Sequence, residues 1–160
     1  MRVLFLDFDG VLHPVPAVPT GRVANGEPVV RATRVLPFEW LPVLVQLLRP
    51  HPDVRLVVHS SWRLVHTPCD VQEMLGELAC RFLGCAPQGP RWTCIRFVLD
   101  MNAQISDYCI LDDNAEELVG APPQRVILCG GGTGISDAQV QRRLRDWLDG
   151  EGPISRPPAT

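Results

Sequence analysis

Two aspartates stand at the end of the first apolar segment of the chain. Val3 to Leu6 is an apolar run of the kind that forms a buried strand, and Asp7 and Asp9 follow it. In an extended chain, residues i and i+2 project to the same side, so the two carboxylates would face a common site. Their repulsion is relieved where a cation or a shared proton lies between them. The pair therefore indicates a metal-assisted site, and the alternative is a solvated turn at a strand end.

A second pair of acids follows a later apolar segment. Tyr108 to Leu111 predicts another buried strand, and Asp112 and Asp113 come directly after it. If the two strands are neighbours in a parallel sheet, Asp7, Asp9 and Asp112 converge at its carboxyl edge, where open α/β sheets bind their ligands. Carboxylates that converge in this way need a hard cation, and oxygen-only ligands favour Mg²⁺.

Hydroxyl and guanidinium groups follow the apolar segment from Val54 to Val58. Ser60, Ser61 and Arg63 lie just beyond this predicted strand. A hydroxyl can donate a hydrogen bond to a phosphate oxygen and a guanidinium supplies positive charge, so the group suits phosphate, although a helix cap would use the same residues. Because a shift of one residue along the strand exchanges the directions of the two serines, either of them could serve.

Any fixed positive charge at such a site must come from arginine, because the sequence contains no lysine. Arg91 stands at the start of a predicted helix, where a positive charge interacts unfavourably with the helix dipole. This local conflict favours another purpose for Arg91, and the alternative is a tolerated placement, because one misplaced charge costs only about a few tenths of a kcal/mol. Arg96, further along the same predicted helix, is the alternative.

Length and composition favour one globular domain. A chain of 160 residues with 46% hydrophobic residues can bury a core. The net charge of −3 and the pI of about 5.8 provide no general attraction to nucleic acid or to an anionic membrane. The six cysteines form no C-x-x-C pair, which argues against zinc, and no apolar run approaches the roughly 18 residues that span a bilayer. We therefore expect a cytoplasmic protein with reduced thiols and no membrane partner.

The whole pattern predicts a doubly wound, Rossmann-like α/β domain over residues 1–150, with four or five parallel strands and helices on both faces. The other predicted elements are a helix over 38–49, a helix from an Asp70/Glu73 capping box to Phe82, a loop over 84–90, a helix from Arg91, a strand over 125–129 and a helix from a Ser136/Gln139 capping box. Residues 13–37 are a proline-rich insertion in which Asn25 and Gly26 predict a small β-hairpin flap. Residues 151–160 predict a flexible tail.

The order of four motifs, DFDGVLHP, VVHSSWR, Arg91 and ILDDN, resembles the haloacid dehalogenase (HAD) superfamily of phosphohydrolases. More specifically, residues 1–148 resemble the small HAD domains of bacterial "Swiss army knife" RNA-repair proteins. The resemblance implies these roles: Asp7 as nucleophile, Asp9 as general acid and base, Ser60 as phosphate-binding hydroxyl, Arg91 as the basic residue, and Asp112 and Asp113 as the metal-site acids. We expect Mg²⁺ to lie between Asp7, the backbone carbonyl of Asp9 and Asp112, so that the predicted metal site comprises Asp7, Asp9, Asp112 and Asp113. Arginine at position 91 keeps the charge of the lysine usual in the family but changes its reach and hydrogen-bond geometry.

The resemblance also implies a function. We expect a Mg²⁺-dependent phosphatase that hydrolyses phosphomonoesters through an aspartyl-phosphate, and the alternative is a catalytically weak binding or regulatory module that recognises a phosphorylated ligand. The segments 13–37 and 64–90 are too short to fold as cap domains, so the site should be open to a large substrate. The expected partner is a phosphorylated small molecule or nucleic-acid end. The sequence does not determine the oligomeric state.

Overall fold

A five-stranded, all-parallel sheet organises the computed structural model, which describes residues 1–15 and 36–150. The strands follow the spatial order β3-β2-β1-β4-β5. Their bounds are Arg2–Leu6 for β1, Val54–Val58 for β2, Phe82–Cys85 for β3, Asp107–Asp112 for β4 and Val126–Leu128 for β5. The central strand β1 pairs with β2 on one side and β4 on the other, so Leu6 lies opposite both Val58 and Leu111. The predicted neighbourhood of the two acid-bearing strands is confirmed.

Helices cover both faces of the sheet, as predicted. Their bounds are Leu41–Leu48 for α1, Pro68–Met74 for α2, Arg91–Met101 for α3 and Ala138–Leu148 for α4. Leu4 and Leu6 of β1 pack in the same core cluster as buried residues of α1, α2 and α4, whereas Val3 and Phe5 pack in a second cluster with α3. Because both faces are covered, β1 is a continuous apolar run rather than an alternating one. Among the described residues, no helix is both long and apolar enough to cross a bilayer.

Both predicted capping boxes were placed wrongly. The second helix begins at Pro68, and its cap is Thr67, whose hydroxyl accepts the backbone N–H of Asp70 at 3.2 Å while the Asp70 carboxylate accepts the N–H of Thr67 at 2.9 Å. Asp70 is thus the third helical residue rather than the cap, because Pro68 is well suited to the first helical turn. The last helix is capped by Asp137 rather than Ser136, since the Asp137 carboxylate accepts the N–H groups of two residues in the first turn.

The prediction that the second helix continues to Phe82 was also wrong. The helix ends at Met74, and Gly76, with a positive φ of 53°, starts a 3₁₀ helix that runs to Arg81. Phe82–Cys85 then pairs in parallel with β2, where a helix end and a loop were expected. The hairpin flap at Asn25 and Gly26 and the tail over 151–160 lie outside the described residues. No disulfide joins the six cysteines, all of which lie in the described residues.

Replacing Gly134 with alanine should destabilise the fold. Gly134 has a φ of +48°, and a Cβ atom there would lie 2.3 Å from the Trp40 ring and 2.4 Å from the carbonyl oxygen of Val11. Overpacking and backbone strain together should cost about 1–3 kcal/mol and lower the Tm by several degrees in thermal denaturation. Gly132→Ala is the matched control, because a Cβ there meets nothing within 4 Å. Equal melting temperatures for the two variants would contradict the prediction.

Candidate active site

Three carboxylates meet at the carboxyl edge of the sheet. Asp7 directly follows β1, and its backbone N–H donates to the carbonyl of Leu111 at 3.0 Å, which continues the pairing of β1 with β4. Asp112 ends β4 and Asp113 follows it. One carboxylate oxygen from each of the three aspartates lies within 4.8 Å of the others. The convergence predicted for Asp7 and Asp112 is therefore present, with Asp113 as the third member.

The cluster concentrates negative charge in a partly buried place. Burial, and then the charges of Asp7 and Asp112, raise the pKa of Asp113 above its ordinary value. Burial also disfavours ionised Asp112, but interactions with His59, the backbone N–H of Asn114 and Arg91 together outweigh it, and the pKa of Asp112 is lowered. Oxygen-only donors crowded in this way fit a metal ion, because a bound cation would relieve their repulsion. The Asp7, Asp112 and Asp113 cluster could therefore hold a metal.

Arg91 reaches the same cluster from the first turn of α3. Its Nη1 atom lies 2.5 Å from Asp7 Oδ2 and 2.7 and 2.8 Å from the two oxygens of Asp112, and its Nε lies 3.2 Å from Glu117 Oε2. Burial works to lower the pKa of Arg91, but the two aspartates raise it above its ordinary value, so the guanidinium is charged. Arg96, the alternative considered from the sequence, is an exposed residue of α3. The unfavourable placement of Arg91 in the helix dipole is offset by these carboxylates.

The loop after β2 places the two serines differently. Ser60 is fully buried and its hydroxyl accepts the backbone N–H of Trp62 at 3.4 Å, whereas Ser61 is exposed and begins a 3₁₀ helix. The guanidinium of Arg63 donates to backbone carbonyls, including those of Ser60 at 2.8 Å and Ala86 at 3.1 Å. Arg63 thus joins the loops that follow β2 and β3. A role for Arg63 in binding substrate stays a prediction, and it would require some of these contacts to break.

The Asp9 carboxylate is held apart from the acidic cluster. Its Oδ1 atom lies 3.0 Å from Nε2 of His13, and its Oδ2 atom accepts the indole N–H of Trp62 at 2.9 Å. The Asp9 side chain is 39% exposed, whereas that of Asp7 is 1% exposed. The carboxylate expected among the metal ligands therefore lies outside the cluster found among the described residues. A metal contact through the backbone carbonyl of Asp9 stays a prediction.

Comparison with known protein families identifies the domain. The family model for the HAD domain in Swiss Army Knife RNA repair proteins matches residues 3–140. The chain belongs to this family. The match confirms the resemblance read from the four motifs and covers every candidate site residue. Neither a curated protein nor a solved structure matches the chain.

His59 is a residue of this HAD domain that contacts the acidic cluster and that the sequence motifs did not single out. Its ring is fully buried, and Nε2 lies 2.8 Å from Asp112 Oδ2. The backbone N–H of His59 donates to the carbonyl of Leu6 at 3.0 Å, so His59 occupies the position after β2 that Asp7 occupies after β1. A polar residue directly after a buried strand was the available signal.

Gly10 allows the HAD domain to bring Asp113 close to the first loop. The glycine has a φ of +67°, and a Cβ atom there would lie 2.1 Å from Asp113 Oδ2. Any larger residue would therefore need to displace that carboxylate or the turn itself. The glycine after the D-x-D motif thus provides both the turn and the space for the third acid.

Proposed function

We propose that this HAD domain is a Mg²⁺-dependent phosphatase that hydrolyses phosphomonoesters through an aspartyl-phosphate on Asp7. The observation that carries the proposal is the meeting of Asp7, Asp112, Asp113 and Arg91 within hydrogen-bond or ligand distance at one sheet edge. A carboxylate nucleophile, oxygen ligands for a divalent cation and a fixed positive charge are the groups that phosphoryl transfer requires. Membership in the family supports the same assignment.

The proposed reaction has two steps. In the first, an oxygen of Asp7 attacks phosphorus, the bond to the leaving oxygen breaks, and Asp9 gives its proton to that oxygen. In the second, Asp9 accepts a proton from water, which attacks the phosphorus and releases phosphate and the Asp7 carboxylate. Arg91 and the hydroxyl of Ser60 would offset charge on the equatorial oxygens. Bound Mg²⁺ supplies the positive charge that lets a carboxylate approach a phosphate dianion.

Asp7, Asp112 and Asp113 would hold the metal in this proposal. Mg²⁺ is favoured because all three donors are hard carboxylate oxygens and because its remaining positions can take water and a phosphate oxygen. Manganese has similar oxygen preferences, so it is the natural substitute in an assay.

A phosphorylated nucleic-acid end is the proposed substrate class. The family takes its description from RNA repair proteins, and phosphorylated ends are the chemistry that such proteins meet. A cleft of about 420 Å³ opens beside Arg91, with Trp92 and Val119 as apolar surface and Glu116 and Glu117 as acidic surface. Such a lining suits a base or sugar better than further phosphate groups, because the two glutamates would repel them.

A binding module that recognises a phosphorylated ligand is the alternative function. One observation favours it: Nη1 of Arg91 lies 2.5 Å from Asp7 Oδ2, so a positive charge lies against the carboxylate that would act as nucleophile. A strong hydrogen bond of this kind lowers the nucleophilicity of the carboxylate. The phosphatase therefore requires Arg91 to transfer its interaction from Asp7 to the substrate phosphate.

An end-phosphorylated oligonucleotide should be a better substrate than the matching mononucleotide. An open site gains binding energy from substrate parts beyond the phosphate, so kcat/KM with Mg²⁺ should be about tenfold higher or more for the oligonucleotide. Phosphate release by the wild type from 3′- and 5′-phosphorylated forms measures this, and a chelator should stop both reactions until Mg²⁺ is restored. A ratio well below one would contradict the proposed substrate class while leaving the phosphatase in place.

A further inference from the structure

The Asp9 carboxylate receives one hydrogen bond on each oxygen, from two residues that lie far apart in the sequence. His13 comes from the turn after β1, where the backbone N–H of Leu12 donates to the carbonyl of Phe8 at 2.8 Å and brings His13 beside Asp9. Trp62 comes from the 3₁₀ helix after β2. In the tautomer that carries its proton on Nε2, His13 donates this hydrogen bond to Asp9 Oδ1. Its other ring nitrogen, Nδ1, is buried and unpaired in the part of the chain that the structure describes.

Both donors belong to a group of aromatic rings, which we call the aromatic box: Phe8, His13, Phe38 and Trp62. Edge-to-face contacts with centroid separations from 5.0 to 6.0 Å join the rings, for example His13 to Trp62 at 5.7 Å. Phe38 has a positive φ of 61°, which is uncommon for a bulky residue and is kept only where surrounding contacts enforce it. The box therefore fixes the orientation of the two donors.

We propose that His13 and Trp62 are positioning residues that hold the Asp9 carboxylate outside the acidic cluster and aimed at the leaving oxygen of the substrate. The inference rests on the proposed function, since Asp9 is the proton donor there. Asp9 stands two residues from Asp7, and its side chain is 39% exposed, so packing alone does not fix it. Each carboxylate oxygen has two acceptor sites. The two hydrogen bonds from His13 and Trp62, which we call the clamp, therefore leave one site on each oxygen for the proton and the substrate. A misplacement of about 1 Å in such a group can cost 10²-fold in rate.

Three variants separate the hydrogen bonds from the packing of the rings. Trp62→Phe and His13→Phe keep an aromatic ring but remove the N–H donor, whereas His13→Gln restores a donor near the position of Nε2. With the best phosphorylated substrate, kcat should fall about tenfold or more in the two phenylalanine variants, with KM and Tm little changed, and His13→Gln should recover much of the loss. Unchanged kcat in both phenylalanine variants, a loss confined to KM, or a His13→Gln variant as slow as His13→Phe would overturn the inference.

A spectroscopic measurement tests the clamp independently of turnover. The indole ¹⁵N–¹H signal of Trp62, assigned by its disappearance in Trp62→Phe, should shift in Asp9→Ala and keep nearly its wild-type position in Asp113→Ala. An unmoved signal in Asp9→Ala overturns the clamp even if the enzyme is active. A wild type that releases no phosphate from any substrate, together with a shifted signal, overturns the proposed function and the catalytic purpose of the clamp, but not the contact itself.

Discussion

Replacing Asp7 with asparagine should reduce phosphate release by about 10³-fold or more, because an amide cannot attack phosphorus. The substitution is nearly isosteric, and the asparagine carbonyl can still accept the backbone N–H of Phe8, which lies 2.8 Å from Asp7 Oδ1. Removing one charge from three crowded carboxylates relieves repulsion, while Arg91 keeps Asp112 and Glu117 as partners. The fold should therefore persist, and circular dichroism and the Tm measured with the rate will show whether it does.

Asp100→Asn is the matched control for this variant. Asp100 is an exposed residue of α3, so this substitution makes the same chemical change away from the cluster. It should leave both rate and Tm unchanged, as most surface substitutions do. If the wild type is no faster than Asp7→Asn on nucleotides, sugar phosphates, p-nitrophenyl phosphate and phosphorylated oligonucleotides, the phosphatase proposal fails. The binding module would then be the better account of the site.

The sheet and its acidic edge could be predicted because they depend on short-range patterns. Asp7 and Asp112 follow apolar runs that only a buried strand would use, and parallel strands bring their carboxyl ends to one edge. Arg91 could be singled out because a positive charge at a helix start conflicts with the dipole. These patterns are local in sequence, and the structure confirms that the two strands are neighbours and that Arg91 lies at the start of a helix.

The wrong predictions concern helix caps and the third strand. They arose where two nearby residues were both suitable caps, or where the strand pattern in the sequence was weak. Thr67 and Asp70 are both good caps, and the choice between them depends on Pro68 at the first helical position. Phe82–Cys85 is short, contains Gly84 and is only partly buried, so its pairing with β2 is a tertiary effect rather than a propensity. The domain limits of 1–150 and the insertion over 13–37 stay predictions.

Contacts between distant residues were out of reach of the sequence. Trp62 contacts Asp9 from 53 positions away, and His59 contacts Asp112 across the same separation. No sequence motif has so long a spacing, so neither contact could be predicted. Arg63 looked like a phosphate ligand because it follows two serines, but its donors meet carbonyls of its own loop and of the loop after β3. Which groups a guanidinium meets is decided by tertiary packing, whereas its charge can be read from the sequence.

Replacing Arg91 with alanine should lower kcat/KM by about 10²-fold or more and destabilise the protein without Mg²⁺. The charge that would meet the substrate phosphate is lost. Asp7 and Asp112, whose side chains are at most 1% exposed, lose the arginine that contacts both, while Asp112 keeps its contact with His59. Removing one member of a buried ion pair costs about 3–5 kcal/mol. Since Nη1 contacts carboxylate oxygens of Asp7 and Asp112, two of the three residues that would hold the metal, its removal should also tighten metal binding.

Addition of Mg²⁺ should therefore raise the Tm of Arg91→Ala more than that of the wild type, and calorimetric titration should give the variant the lower Kd. Arg91→Lys keeps a charge but not the fork of donors, so its rate and metal affinity should lie between those of the wild type and Arg91→Ala. Arg96→Ala is the control, because it removes an exposed arginine from the same helix and should change neither property. If Arg91→Ala lost stability but kept normal turnover, Arg91 would have a role in stabilising the fold and none in catalysis. Weaker metal binding in that variant would show that Arg91 and the cation do not share these oxygens, since a competing guanidinium can only oppose the metal.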